Sequence, residues 1–154
     1  MPEAWRIIKV QHAATAFSGR GAADYGGRWN SRGVAVVYAS QTKSLDVLES
    51  LVHLNPPVRF HYVGFHLEFP ETFLERYPLA RLPTDWQTEP PPPSTKQIGD
   101  HWVRLARTAV LALPSVIIPS ETNYLLNPAH PDFSKIVIRP PEPFAFDPRL
   151  LARR

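Results

Sequence analysis

The sequence predicts an α+β domain, a mixed sheet with helices packed at its flanks. Two observations carry that expectation. Short β-branched and aromatic runs recur at residues 5–8, 34–38, 60–69 and 136–138, which is the composition of strands. Between them stand two longer stretches, one after Ser40 and one from Lys96, whose apolar residues recur at helical spacing. Strands interspersed with two main helices give an α+β fold. The chain, 1–154, is one domain's length and long enough to bury a sizeable core, and no internal repeat divides it.

In chain order, Trp5-Arg6-Ile7-Ile8 reads as a first strand with Arg6 inside it. Residues 11–27 are small, polar and glycine-bearing, which predicts a loop with a helical turn at 13–17. Long loops in a compact domain are often functional. Val34-Ala35-Val36-Val37-Tyr38 predicts a buried strand that delivers Tyr38 at its end. Ser40 or Thr42 then caps a helix whose apolar stripe is Leu45, Leu48, Leu51 and Val52, with Glu49 at the border of the stripe. Pro56-Pro57 ends that region, and Phe60, Tyr62, Phe65, Leu67 and Phe69 mark one or two strands with a break near Gly64.

Residues 70–94 are proline-rich and end in Pro90-Pro91-Pro92-Pro93, which predicts an extended connector. A partner-recognition motif is the other reading of four prolines, and their place in mid-domain favours the connector. Residues 96–113 return to helix, with Ile98, Trp102, Leu105, Ala109 and Ala112 at helical spacing and Trp102 read as core. Pro114 closes that helix and Ser115-Val116-Ile117-Ile118 opens a strand. Asn123 and Asn127-Pro128 mark turns, and Ile136-Val137-Ile138 is a late strand. The end, Leu150 to Arg154, is either frayed or docked on another subunit.

Composition excludes several classes. There is no cysteine, so no disulfide and no thiolate metal ligand, and this is compatible with a reducing compartment. No apolar run is long enough to span a bilayer and the first ten residues lack a signal layout, so the expectation is a cytoplasmic protein with no membrane role. The six histidines are scattered without an HExxH-like pair, and neither a P-loop nor a GxGxxG motif is present. The net charge of +3 suits a phosphate-bearing ligand, while the lack of a Lys/Arg run argues against direct nucleic-acid binding.

Residues 26–50, GGRWNSRGVAVVYASQTKSLDVLES, put a cation, an aromatic ring and a carboxylate on a loop, a strand and a helix in turn. An anion is the first ligand this suggests. Gly26 and Gly27 leave bare backbone for a phosphate to approach, and Arg28 offers a forked pair of donors. Each residue also has a plainer reading. Arg28 is then a solvated loop charge, Tyr38 half-buried core, Glu49 an ion-pair partner of His53 four residues on, and Ser115 a backbone-bonding residue between two elements.

Four segments in order, GGRWNSRG, VVYAS, LDVLESLVH and LPSVIIPSETNYLLNPAHPDF, resemble the RES domain family of bacterial toxins, and the resemblance covers nearly the whole chain. It implies a fold similar to the ADP-ribosyltransferase toxins, degradation of NAD+ as substrate without a metal, and a cognate antitoxin with a helix-turn-helix-like DNA-binding part. It carries the family's arginine onto Arg28, its aromatic onto Tyr38, its glutamate onto Glu49 and its serine onto Ser115. Breaking the nicotinamide–ribose bond passes through an oxocarbenium-like state, which asks for a phosphate grip, a lock on the nicotinamide and a carboxylate near the ribose. Those are the implied jobs of Arg28, Tyr38 and Glu49, with Ser115 bonding near the base or supporting Glu49.

Arg6 is the best second cation because a strand holds it rigidly; Arg20, Arg32 and Tyr25 rank below it. Ser120, which also follows a proline, rivals Ser115. The acceptor stays open: water makes a NAD glycohydrolase, phosphate a NAD phosphorylase, and a protein side chain an ADP-ribosyltransferase. From another class, a non-catalytic module that binds nucleic acid or protein predicts salt-sensitive binding and no NAD+ consumption. An inactive relative that only pairs with its antitoxin is the third reading.

Overall fold

Apolar runs become strands where the pleat can bury them, and the described chain, residues 1–53 and 61–151 of a computed structural model, does so in one eight-stranded sheet. The strands are β1 (Glu3–Lys9), β2 (Val37–Ser40), β3 (Tyr62–Glu68), β4 (Leu74–Arg76), β5 (Val110–Pro114), β6 (Thr122–Leu126), β7 (Val137–Ile138) and β8 (Glu142–Phe144). Their order is β4-β5-β6-β2-β1-β3-β7, with β8 also paired to β3. Among the described pairs only β4 and β5 run parallel, so the sheet is mixed. Helices α1 (Arg20–Tyr25), α2 (Lys43–Leu51) and α3 (Pro93–Leu105) complete the predicted α+β architecture.

Alternation along the strands sends side chains to two cores. Val110, Ala112, Tyr124 and Leu126 join Ala4, Phe65 and Leu67 in one, while Leu111, Leu113 and Leu125 join Trp29 and Trp102 in the other. β5 is buried at all five positions, as a strand covered on both faces must be. Strand pairing is uneven. β1 matches β3 over seven positions and β2 matches β6 over four, but β1 meets β2 at the single pair Trp5–Ser40. Past that pair, side chains occupy backbone groups that a ladder would have used. Asp46 Oδ2 accepts the Ile7 N–H at 2.7 Å, and Arg6 Nη1 donates to the Tyr38 carbonyl at 2.8 Å.

Several elements differ from the sequence reading, each for a local reason. The loop 11–27 contains a 3-10 turn at Val10–Thr15 and helix α1, in place of one turn at 13–17. β2 starts at Val37 and not at residue 34, because the Asn30 amide claims the Val34 carbonyl at 3.1 Å. Tyr38 therefore sits inside β2 rather than at its end. Thr42, not Ser40, caps α2 by accepting from the Leu45 N–H at 3.1 Å. The apolar stripe of α2 is also rotated: Leu45 is buried, but Leu48 and Val52 are 39% and 60% exposed, and Asp46 faces inward instead. Gly64 causes no break; it lies in continuous pairing with Ile7 and Glu142.

The largest departure is at residues 96–113. Helix α3 stops at Leu105, Ala106 turns left-handed at φ 51°, Ala109 lies in the bend that follows, and Ala112 belongs to the strand β5. A run buried on two faces has no period of its own, so chance spacing mimicked a helix. The expected strand at 115–118 is a bend held by the Ser115 hydroxyl, and Asn123 lies in β6, whereas Asn127 does form a turn by accepting from the Ala129 N–H. The connector at 70–94 is broken by two 3-10 turns and β4, and Pro93 begins α3. Pro56-Pro57, Phe60 and residues 152–154 lie outside the described residues.

Candidate active site

Helix α2 lays Leu45, Asp46 and Glu49 against the sheet, and the three-residue step from Asp46 to Glu49 keeps both carboxyls on one face. Glu49 bonds inward and not to His53. Its Oε1 accepts from the Ser115 hydroxyl at 2.7 Å and from the Asn123 amide at 2.8 Å. Among the described residues nothing donates to Oε2. Ser115 is fully buried, and its oxygen also accepts the Ile117 and Ile118 N–H groups at 3.1 Å each, which fixes the hydroxyl at the end of β5. Ser120, the rival serine, is exposed in the following turn.

The network continues into the sheet. Ser40 Oγ lies 2.9 Å from Asn123 Oδ1 and 3.0 Å from Asp46 Oδ1. Burial pushes the Asp46 carboxyl up to about 6, although the bonds from Ile7 and Ser40 and the charge of Arg6 pull it down and Glu49 adds to the rise. Arg6 is held by two carbonyls, Ala16 at 2.9 Å and Tyr38 at 2.8 Å. Burial lowers its guanidinium from the usual range, against the opposing pull of Asp46.

Tyr38 is tied down at its hydroxyl, which donates to Asn30 Oδ1 at 2.6 Å and accepts from the Trp29 N–H at 3.1 Å. Burial raises its phenol far above the ordinary value, so it stays a neutral donor. A Cβ at Gly27 would stand 2.6 Å from that hydroxyl. The bare backbone expected to admit a ligand thus admits Tyr38. Helix α3 clamps the same loop: Lys96 donates to the Gly27 carbonyl at 2.7 Å, Asp100 accepts from Ser31 N and Oγ at 2.8 and 2.5 Å, and Gly99 lets the Trp29 carbonyl approach.

Arg28 already holds an anion, the carboxylate of Glu89, and Nη1 donates to the carbonyls of Trp86 and Thr88 at 3.0 and 2.8 Å. The Arg28 side chain is 11% exposed and that of Glu89 69%. The structure therefore joins Glu49 directly to Ser115, and Arg6 directly to the Tyr38 backbone, while Arg28 is bound to the proline-rich segment. Arg20, Arg32 and Tyr25 are exposed.

Sequence reasoning missed Asn30, Asp46 and Asn123 as site residues. The helical spacing of Asp46 from Glu49 was a usable signal; nothing local marked Asn123. Hollows of about 370 and 460 Å³ lie beside Tyr62 and Phe144 and beside Tyr77 and His101. The cluster at Glu49 is defined by its hydrogen bonds. Glu3, His66 and Glu68 bring potential metal-ligand atoms within 4.8 Å on β1 and β3, where Arg139 already bonds Glu68.

Comparison with known proteins points one way. Residues 3–147 match the family model described as RES domain. The chain is 40% identical over 157 residues to the Prs ADP-ribosylating toxin of Sphingobium sp. (strain YBL2), covering 97% of this chain and 96% of that one. It is 36% identical over 148 residues to the Toxin Res of Yersinia enterocolitica, covering 95% and 97%. Among solved structures it resembles a chain of the M.tuberculosis MbcT-MbcA toxin-antitoxin complex, with a TM-score of 0.73 over 92% of this chain and 83% of that one, at 14% identity. That likeness is one of fold.

Proposed function

This chain belongs to the RES domain family, and from that premise we propose that it is the toxin of a toxin–antitoxin pair and cleaves the nicotinamide–ribose bond of NAD+. One observation carries the reading: Glu49 has one oxygen saturated by Ser115 and Asn123 and the other free of protein donors among the described residues. A carboxylate held this way is oriented for a ligand hydroxyl.

The chemistry follows from charge. The bonding pair leaves with nicotinamide, which departs neutral, and the positive charge of the pyridinium passes to the ribose as an oxocarbenium ion. Glu49 Oε2 accepts from a ribose hydroxyl and opposes the developing charge; the fixed Oε1 prevents the carboxylate from turning away. With its hydroxyl anchored, Tyr38 offers its ring to the nicotinamide. Arg28 exchanges Glu89 for the diphosphate, and the exposure of Glu89 makes that exchange cheap. Arg6 adds a second positive charge beside Tyr38. Water or phosphate then adds to the ribose carbon and releases a proton. The leaving group is cationic from the start, so no metal enters this reading.

A second reading concerns the acceptor alone. The relative named as an ADP-ribosylating toxin favours a protein side chain in place of water or phosphate. The antitoxin partner is supported by the solved toxin–antitoxin complex that shares the fold, and by the family premise we assign it a helix-turn-helix-like DNA-binding part. No described helix is long and apolar enough to cross a membrane. NAD+ as substrate fits action in the cytoplasm.

The test is NAD+ consumption by the purified chain beside Glu49→Gln, with and without phosphate, products resolved by mass. Gln keeps Oε1 as acceptor for Ser115 and Asn123, so the fold should persist while turnover falls by on the order of a hundredfold or more. Free nicotinamide with ADP-ribose, its 1″-phosphate or a modified protein names the acceptor. A fully active Glu49→Gln, or a wild type that leaves NAD+ intact, refutes the reading.

A further inference from the structure

The contacts between Asp46 and Glu49 pose a question of hydrogen atoms. Ser40 has one hydroxyl hydrogen and two oxygens within reach, Asp46 Oδ1 at 3.0 Å and Asn123 Oδ1 at 2.9 Å. The orientation of Asn123 is not arbitrary, because its Nδ2 faces Glu49 Oε1 at 2.8 Å; turning the amide over would set oxygen against a carboxylate. Among the described residues the Ser40 hydroxyl is the donor that faces Asn123 Oδ1. When Ser40 gives its hydrogen to Asn123, its oxygen is left to accept from Asp46, which can donate only in its protonated form. Asp46 Oδ2 is meanwhile occupied as acceptor of the Ile7 N–H at 2.7 Å.

We propose that Asp46, carrying its proton, is a positioning residue for Glu49: it donates to Ser40, Ser40 donates to Asn123, and Asn123 donates to the Glu49 carboxylate. The proposal rests on the reading of Glu49 above for its catalytic consequence, though not for the hydrogen-bond order itself. When Asp46 ionises, Ser40 turns its hydrogen to the charge and Asn123 Oδ1 is left facing a lone pair. The orienting bond from Asn123 to Glu49 loses its support.

The surroundings keep this switch in reach of mild pH. Burial disfavours the charged carboxylate most, and Glu49 on the same helix adds to that; the backbone N–H of Ile7, the Ser40 hydroxyl when it turns to the carboxylate, and Arg6 from β1 oppose it. Ser40 from β2 and Asn123 from β6 do not titrate. Asp46 is 8% exposed, so water does not replace Ser40 as its partner.

Two measurements on the full chain test the proposal. The first needs no NAD+: the side-chain amide signals of Asn123 in isotope-labelled protein, assigned by their loss in Asn123→Ala, are followed from roughly pH 5 to 8. They should shift with a midpoint near 6 in the wild type and stay flat in Asp46→Asn, whose amide donates to Ser40 at every pH. Signals that are flat in the wild type, or that move equally in Asp46→Asn, overturn the proposal.

The second is NAD+ consumption over the same range. Wild-type kcat/KM should fall as pH rises through that midpoint, Asp46→Asn should keep activity within about threefold and lose the fall, and Asp46→Ala should lose on the order of a hundredfold in kcat with little change in KM. Asp46→Asn as damaged as Asp46→Ala overturns the proposal. Coupled amide signals in a protein that consumes no NAD+ uphold the hydrogen-bond order and refute instead the catalytic reading of Glu49.

Discussion

Replacing Ser115 with alanine separates support of the fold from support of the chemistry, because one buried hydroxyl serves both. It donates to Glu49 Oε1 at 2.7 Å and accepts two backbone N–H groups at 3.1 Å. A bond to a charged group is worth about 1.5–3 kcal/mol, and losing the shared acceptor of the turn adds about 1 kcal/mol. The expected cost is therefore about 2–4 kcal/mol. In a chain of this size each kcal/mol lowers the melting temperature by about 2–4 °C, so Tm should fall on the order of 10 °C. Glu49 keeps Asn123 as its one anchor on Oε1, and its wider swing should lower kcat by about 10- to 100-fold with KM little changed. Circular-dichroism melts and NAD+ kinetics well below the new Tm give both numbers. A lowered Tm with kcat within about twofold of wild type would show that Ser115 builds the turn and nothing more. An unchanged Tm refutes the hydrogen-bond accounting itself.

Three further outcomes follow from other contacts. Glu89→Ala removes the protein anion from Arg28 while the carbonyls of Trp86 and Thr88 remain, so stability should change by less than about 1 kcal/mol and KM for NAD+ should fall; an unchanged or raised KM counts against Arg28 as the diphosphate grip. Gly99→Ala places a methyl 1.7 Å from the Trp29 carbonyl oxygen, a backbone atom, and should cost about 3 kcal/mol or more in urea unfolding; a variant as stable as wild type means that α3 does not clamp the Arg28 loop as described. The third concerns pH. The Asp46 carboxyl titrates at about 6 in the folded chain against 3.8 unfolded, so the native state holds its proton longer. This contribution is fully present below about pH 3.8 and is lost as pH rises through 6, about 3 kcal/mol in all. Asp46→Asn should lack that slope, and parallel stability curves for the two proteins refute the assignment.

The sequence by itself determined those features that depend on neighbours in the chain. Short β-branched and aromatic runs marked β1 and β3, and apolar residues at helical spacing marked α2 and the first turns of α3, because these preferences are set by local geometry. Four ordered segments also singled out Arg28, Tyr38, Glu49 and Ser115 as candidates, without showing which of them meet. Where local signals were ambiguous they misled: a strand buried on two faces, residues 110–114, has no alternation to distinguish it from the helix before it.

Tertiary structure decided the rest. Whether Glu49 faces His53 or the sheet depends on how α2 is rotated, and that rotation is set by Asp46 finding the Ile7 N–H where β1 parts from β2. Ser115 reaches Glu49 from 66 positions away and Asn123 from 74, so no window of sequence contains the bonds. Arg28 reads as a free loop cation until the segment carrying Glu89 folds over it. A hydrogen bond is a relation between positions in space, and residues far apart in the chain acquire it only when the sheet and α2 have brought them together.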